Sequence, residues 1–374
     1  YGLHRSALLW GYLRTRRLRA TPARRFRDDE LPVITVQLPM FNERFVAERL
    51  IDAAAKLDYP ADRLEIQVLD DSTDDTVMIA GAICEKLRRR GVDITYLHRS
   101  ERVGYKAGAL EEGLRRSKGE LVLVFDADFV PMPSAARDLV HFFTDPEIGM
   151  VQARWGHLTR DDSLLTRCQA MLLDGHFVIE HAARHRSGRF FNFNGTAGMW
   201  RKTAIADAGG WQHDTVTEDM DLSYRAQLAG WRFEYVPEVC VPAELPGDMN
   251  SFKSQQHRWA KGSVQTARKL LGRIIAAPIP WPIKREAFFH LTNNIAYLFV
   301  LLLALLQLPN MLIRRHMEDP RLLMLDVPLF WATCGSVAAF YLVAQRDAGG
   351  SYADALKRLP VMMGLGIGLA VNNG

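Results

Sequence analysis

From Leu31 to about Gly247, short apolar runs alternate with stretches whose apolar residues recur every three or four positions. Val33–Leu38, Leu64–Leu69, Ile94–Leu97, Leu121–Phe125 and Met150–Ala153 read as buried strands, because continuous apolar runs of this length suit a sheet covered on both faces. Phe45–Leu57, Thr76–Arg90, Lys106–Arg116 and Ser134–Phe143 carry helical spacing between them. Strict alternation of the two predicts βαβ units and a mostly parallel sheet. Such sheets bind ligands at the carboxyl ends of their strands, so polar residues there are the first candidates for a site.

The pattern changes after Pro280. Ala287–Ile313 is free of Asp, Glu, Lys and Arg for 27 residues, long enough to cross a hydrocarbon core. Val327–Gln345 gives a second such stretch of 19, and Leu359–Gly374 a third of 16. At the other end, residues 1–27 hold eight Arg and no acid, interleaved with Leu8, Leu9, Trp10, Tyr12, Leu13 and Leu18. That mixture suits a helix lying on an anionic membrane surface. Basic residues flank the spans on both sides, so their charges barely orient them; the basic arm favours a cytosolic catalytic domain. The chain begins at Tyr1 without an initiator Met and is read as part of a longer protein.

Composition narrows the function without naming it. A chain of 374 residues, 48% hydrophobic and 24% charged, allows two to three folding units and excludes disordered and collagen-like classes. The net charge of +4, with no recognition motif beside the Arg-rich arm, argues against nucleic acid as a partner. Four scattered Cys give neither zinc spacing nor a disulfide framework, which fits a reducing compartment.

Four polar clusters interrupt the pattern. Asp70 and Asp71 end an apolar strand, where they can accept hydrogen bonds from a base or ribose or simply cap the next helix. The run Leu121–Phe125 delivers Asp126 and Asp128 into one loop. Two like charges this close call for a cation, and Mg²⁺ or Mn²⁺ with a diphosphate is the expected complement. Thr217-Glu218-Asp219 opens a helix-like stretch, and by itself reads equally as a capping sequence. Gln255, Arg258 and Trp259 bring a guanidinium suited to diphosphate and an indole face suited to a sugar ring just before the apolar spans. An interfacial Trp-Arg pair is the plainer alternative.

In this order, D, DxD, TED and QxxRW ahead of membrane spans resemble the processive family 2 glycosyltransferases, the cellulose, chitin and hyaluronan synthases. The surrounding text QLPMFNE, LDDSTDDT, DADFVP, FFNFNGTAGMWR and QQHRWAKGS is most similar to the cellulose-synthase-like A group, the mannan and glucomannan synthases and their bacterial relatives. The resemblance covers about residues 31–345 and implies an α/β fold: a GT-A (Rossmann-like) glycosyltransferase domain followed by transmembrane α-helices. Four segments are expected: a basic juxtamembrane arm over 1–30, the GT-A domain over 31–250, interfacial helices over 251–284 and transmembrane helices over 285–374.

The roles carry over residue by residue. Glu43, Asp70 and Asp71 would line the base and ribose pocket, and Lys106 would approach the donor diphosphate. Asp126 and Asp128 would hold the metal, Mg²⁺ or Mn²⁺, with Asp126 also on the donor's sugar side. Asp219 would be the general base, ionised because the helix start lowers its pKa, with Glu218 beside it. Asn194, Gly195 and Thr196 would lie near the acceptor end, Gln255 and Arg258 at the diphosphate, and Trp259 against the acceptor sugar.

The implied reaction is inverting transfer from a nucleotide sugar, UDP-glucose or GDP-mannose, onto a growing β-linked glycan. The alternative is a single transfer to a lipid or polyprenyl-phosphate acceptor, and a catalytically dead scaffold is the reading of a different class. The expected setting is the lipid bilayer of a bacterial inner membrane or its equivalent. His257 and Lys261 depart from the residues usual around QxxRW in cellulose synthases, and neither a cyclic-dinucleotide domain nor a gating loop is visible, which leaves regulation and processivity open. The resemblance specifies no partner subunit.

Overall fold

The computed structural model describes residues 1–315 and 322–373. Residues 316–321 and Gly374, within the segment expected to be transmembrane, lie outside the described residues.

In chain order the first half runs α1 (Gly2–Thr15), β1 (Ile34–Met40), α2 (Ala47–Ala54), β2 (Leu64–Asp70), α3 (Thr76–Arg88), β3 (Ile94–His98), α4 (Tyr105–Arg116), β4 (Leu121–Val124), α5 (Ala135–Val140) and β5 (Ile148–His157). Then come α6 (Leu164–Asp174), a π-helical turn (Gly175–His181), α7 (Ala182–Arg186), β6 (Gly198–Arg201), α8 (Lys202–Asp207), α9 (Glu218–Leu228) and β7 (Arg232–Ala243). The remainder is helical: α10 (Met249–Ala276), α11 (Trp281–Thr292), α12 (Ala296–Arg314), α13 (Leu322–Phe330), α14 (Ser336–Asp347) and α15 (Tyr352–Asn373). The chain divides into two compact units, one of residues 19–158 and 190–244, the other of 1–18, 159–189 and 245–374.

The first unit is built on a seven-stranded sheet in the order β3-β2-β1-β4-β6-β5-β7. Strands β3, β2, β1 and β4 are parallel, as the alternation of runs predicts. The sheet is mostly parallel, as expected, with β6 the exception. β6 runs antiparallel to both β4 and β5, and β5 pairs with β7 in parallel. Neither β6 nor β7 is among the strands predicted from the sequence. β6 is only four residues long, and β7 carries Glu234, Pro237 and Glu238 through a register shift, so neither presents a clean apolar run.

Side-chain alternation along β1 and β2 explains how helices cover both faces. Val36, Leu38, Ile66 and Val68 join Leu50 and Ile51 of α2 and Ile83 and Leu87 of α3 in one apolar core. Thr35, Gln37, Glu65 and Gln67 turn the other way and stay buried by bonding to one another. Gly113 lets α4 close over this polar row: a Cβ there would lie 2.6 Å from Gln37 Nε2. The register then sets Met40 beside Asp70 and Asp70 beside His98, aligning the carboxyl ends of three strands on one rim.

The second unit is helical. Leu8 and Tyr12 of α1 are buried in it, His4 Nε2 meets Glu286 at 2.8 Å and the Tyr12 hydroxyl donates to Asp347 at 2.6 Å. The basic arm is helical over Gly2–Thr15 and packs Leu8 and Tyr12 into its own unit, leaving Leu3, Trp10 and Leu13 exposed. Two helical stretches, Trp281–Arg314 and Asp326–Asp347, are long and apolar enough to cross a bilayer. Residues 359–373 of the third apolar stretch fall within α15, which also bears Asp354, Lys357 and Arg358 and, among the described residues, is not one of the spans of that kind.

Candidate active site

β2 ends in one acidic pair, the loop after β4 carries another, and the fold treats the two differently. Asp70 is fully buried; its carboxylate accepts the Ser72 N–H at 2.9 Å and the Tyr96 hydroxyl at 2.6 Å. Asp71 is held by both arms of the Arg99 guanidinium, at 2.7 and 2.6 Å, in the bidentate geometry that favours arginine. Arg102 completes this corner, with Nε 3.8 Å from Asp71 and its guanidinium 3.4 Å from the centroid of the Phe41 ring. Both carboxylates expected to face a base and ribose are thus engaged by the protein itself. Arg102 and Phe41 form the more exposed part of the corner, and neither was singled out from the sequence.

The second cluster gathers around Lys106. Gly104, in the left-handed region at φ 73°, opens α4 and allows close packing: a Cβ there would lie 3.1 Å from Gly108 Cα. From the first turn of α4 the Lys106 ammonium meets Asp126 Oδ1 at 2.5 Å and donates to the Gly195 carbonyl at 3.0 Å. Gly195 has φ 82°, which strains any other residue, and a Cβ on it would lie 3.1 Å from Asp219 Oδ2, so Asp219 would have to give way. Thr196 Oγ1 accepts the Asp126 N–H at 2.9 Å. Lys106, Asp126, Gly195, Thr196 and Asp219, far apart in sequence, are therefore brought together.

The charge balance of this cluster is uneven. Asp126, Asp128, Glu43, Glu218 and Asp219 act on one another and on Lys106. Burial, reinforced by Asp126, pushes the Asp128 carboxyl up to about 7. Burial and then Glu218 push Asp219 up to about 7. Glu43 is raised for the same reasons, burial first and Asp126 next. Burial alone would lower Lys106, but Asp126, Glu218 and Asp219 outweigh it and raise its pKa. The expectation that the start of α9 lowers the Asp219 pKa is overturned. The Met220 N–H does donate to Asp219 Oδ1 at 2.8 Å, yet desolvation and the neighbouring Glu218 exceed that local stabilisation.

The loop carrying Asn194, Gly195 and Thr196 is fixed from beneath by residues the sequence reading passed over. Gln152 on β5 accepts the Asn194 N–H at 3.0 Å and donates to the carbonyls of Thr196 and Ala197, each at 3.1 Å. Ser223 on α9 accepts the Phe193 N–H at 2.9 Å and donates to the Asp219 carbonyl at 2.5 Å. The one available signal was a glutamine inside the otherwise apolar run Met150–Ala153. Gln255, Arg258 and Trp259 belong to the helical unit, on α10, whose start is capped by Asp248 accepting the Asn250 and Ser251 N–H groups. Arg258 is exposed and, among the described residues, forms no ion pair.

Residues 32–262 match the family described as Glycosyltransferase like family 2. The chain belongs to this glycosyltransferase family. Glucomannan 4-beta-mannosyltransferase 2 of Arabidopsis thaliana is 48% identical over 258 residues, which cover 66% of this chain and 48% of that protein. Glucomannan 4-beta-mannosyltransferase 1 of Oryza sativa subsp. japonica is 45% identical over 275 residues, covering 69% and 53%. These relatives place this family 2 glycosyltransferase with the cellulose-synthase-like A group, as its motifs led one to expect. The chain spans about half the length of these curated relatives. Among solved structures, the mannosyltransferase PcManGT from Pyrobaculum calidifontis, in complex with GDP-Man and Mn²⁺, shares the fold with a TM-score of 0.62 at 23% identity, over 100% of this chain and 94% of that one.

Proposed function

We propose that this family 2 enzyme is an inverting mannosyltransferase that extends a β-1,4-linked mannan or glucomannan from GDP-mannose. The observation that carries the reading is the meeting of Lys106, Asp126, Gly195 and Asp219 at one point, in a chain whose relatives are named for that transfer.

The acceptor hydroxyl attacks the anomeric carbon as the bond to the leaving diphosphate oxygen breaks, and the hydroxyl proton passes to Asp219. A carboxylate placed for this contributes ~10²–10⁴ in rate. With its pKa raised to about 7, Asp219 is a stronger base than an ordinary aspartate while still largely ionised just above neutrality. Lys106 keeps its proton and offers a fixed positive charge to the diphosphate. Asp70 and Asp71 act by holding Tyr96, Arg99 and the loop around them, and Arg102 with Phe41 presents a flat cationic surface to the base. Glu43 adds a third carboxylate to the donor side.

A divalent cation fits the donor set. Asp126, Asp128 and Glu43 act on one another beside Lys106, and burial first, then the Asp126 charge, raises the Asp128 pKa. Mg²⁺ or Mn²⁺ takes one or two carboxylates and completes its shell with phosphate and water. Asp128 and Asp126 would hold it, and when bound it would neutralise the departing diphosphate.

By their motifs, Gln255, Arg258 and Trp259 of the helical unit are substrate-binding residues and Asn194 and Thr196 of the sheet unit serve the acceptor; the apolar helices are a bilayer anchor, with catalysis on the cytosolic side. The test is to incubate the full chain in detergent with Mn²⁺ and radiolabelled GDP-mannose or UDP-glucose, then digest the product with β-mannanase. Label from GDP-mannose in mannanase-sensitive polymer is expected. Label confined to lipid extract, or incorporation from UDP-glucose alone, would overturn the reading.

A further inference from the structure

We propose that Gln152 is a positioning residue for glycosyl transfer: its buried amide fixes the 194–197 loop that sets Lys106 and Asp126 against Asp219. The inference rests on the transferase reading above.

Gln152 lies in the middle of β5, fully buried, on a strand that otherwise contributes Met150, Val151 and Ala153 to the core. A primary amide there must satisfy both ends to be tolerated. It does so entirely on one loop and its own strand: the oxygen accepts from Asn194, and the nitrogen faces the carbonyls of Ala153, Thr196 and Ala197 at 2.8, 3.1 and 3.1 Å. The loop needs such a clamp. Gly195 and Ala197 both have positive φ, at 82° and 52°, and alanine has no intrinsic preference for that region.

What the loop touches gives the clamp its consequence. The Gly195 carbonyl receives Lys106, Thr196 Oγ1 receives the Asp126 N–H, and a Cβ on Gly195 would lie 3.1 Å from Asp219 Oδ2. Donor-side and acceptor-side groups thus lean on the same two residues. Ser223 ties the loop from the opposite side, bridging the Phe193 N–H and the carbonyl of Asp219 itself. Movement of this loop changes the place of the base relative to the donor without removing any group that binds the nucleotide.

The experiment compares Gln152→Met, which keeps length and bulk but loses the amide, and Ser223→Ala with wild-type full chain in detergent. Two quantities are read: the ratio of mannosyl transfer to GDP-mannose hydrolysis, and donor affinity by calorimetry. The ratio does not depend on how much of a variant is folded. Water reaches the anomeric carbon without an oriented sugar hydroxyl, so a displaced base lowers transfer more than hydrolysis. For Gln152→Met the ratio is expected to fall by about tenfold to 100-fold, the scale of a 1 Å misplacement, and for Ser223→Ala in the same direction by less. Donor affinity is expected to stay within about threefold, the signature of an interaction used in the transition state. A wild-type ratio in both variants, or a ratio that falls only in step with donor affinity, overturns the proposal. Wild-type enzyme inert toward GDP-mannose would instead overturn the transferase reading, so the two failures are distinct.

Discussion

Asp70 and Asp71 at the end of β2 and Asp126 and Asp128 after β4 look alike in sequence, each a carboxylate pair following an apolar strand, but the fold gives them opposite electrostatics. The first pair is fully engaged: a tyrosine hydroxyl, a backbone N–H and a bidentate arginine take up its oxygens. The second shares one lysine with Glu218 and Asp219, and burial lifts Asp128 and Asp219 to about 7. On the function proposed above, the pair engaged by protein partners shapes the pocket, and the crowded pair takes the cation beside the base.

Three substitutions sharpen this contrast. Asp128→Asn should reduce transfer most, by on the order of 10³-fold or more, as should a chelator on wild-type enzyme, because each removes stabilisation of the departing diphosphate. Transfer rates with and without added Mn²⁺ check this, and full activity in chelator would break the assignment. Arg99→Ala should act on the fold, since it removes both hydrogen bonds to buried Asp71 and leaves it the more distant Arg102; a loss of about 1–3 kcal/mol is expected in denaturant unfolding. Unchanged stability would mean that Asp71 is not held as described.

The smallest effect is a stability gain. A carboxyl whose folded-state pKa is raised binds its proton more tightly in the native state, so wild type loses stability as pH rises from the ordinary carboxylate range through about 7. Asp219→Asn lacks that loss. Its melting temperature relative to wild type should climb between about pH 4 and pH 7 and then level off. A difference independent of pH would contradict the strained ionisation of Asp219.

Much of the fold was legible because β1 to β4 are apolar runs bounded by polar loops, and α3 and α4 carry helical spacing over nearly their observed lengths. β6 and β7 escaped because four residues, or a strand broken by Pro237 and two glutamates, leave too little pattern. Among the candidate site residues, Lys106, Asp126, Gly195 and Asp219 were named from motifs and do meet in space. Arg99 and Gln152 were not, since each acts on residues tens of positions away, and a lone glutamine in an apolar run does not say what it bonds. The pKa of Asp219 was misjudged for a related reason: the helix start is visible in sequence, whereas the desolvation that outweighs it depends on packing.

The central claim, that the undercompensated cluster is the chemical one and Asp219 its base, is tested most directly by measuring donor affinity and transfer in Asp219→Asn on the same preparation. Near-isosteric replacement removes the proton acceptor and leaves the Gly195 contact sterically unchanged. Calorimetry with GDP-mannose should give a dissociation constant within about threefold of wild type, while transfer to a mannan oligosaccharide falls by about 10²–10⁴. Transfer at a near wild-type rate, or a loss of donor affinity as large as the loss of transfer, would contradict the account.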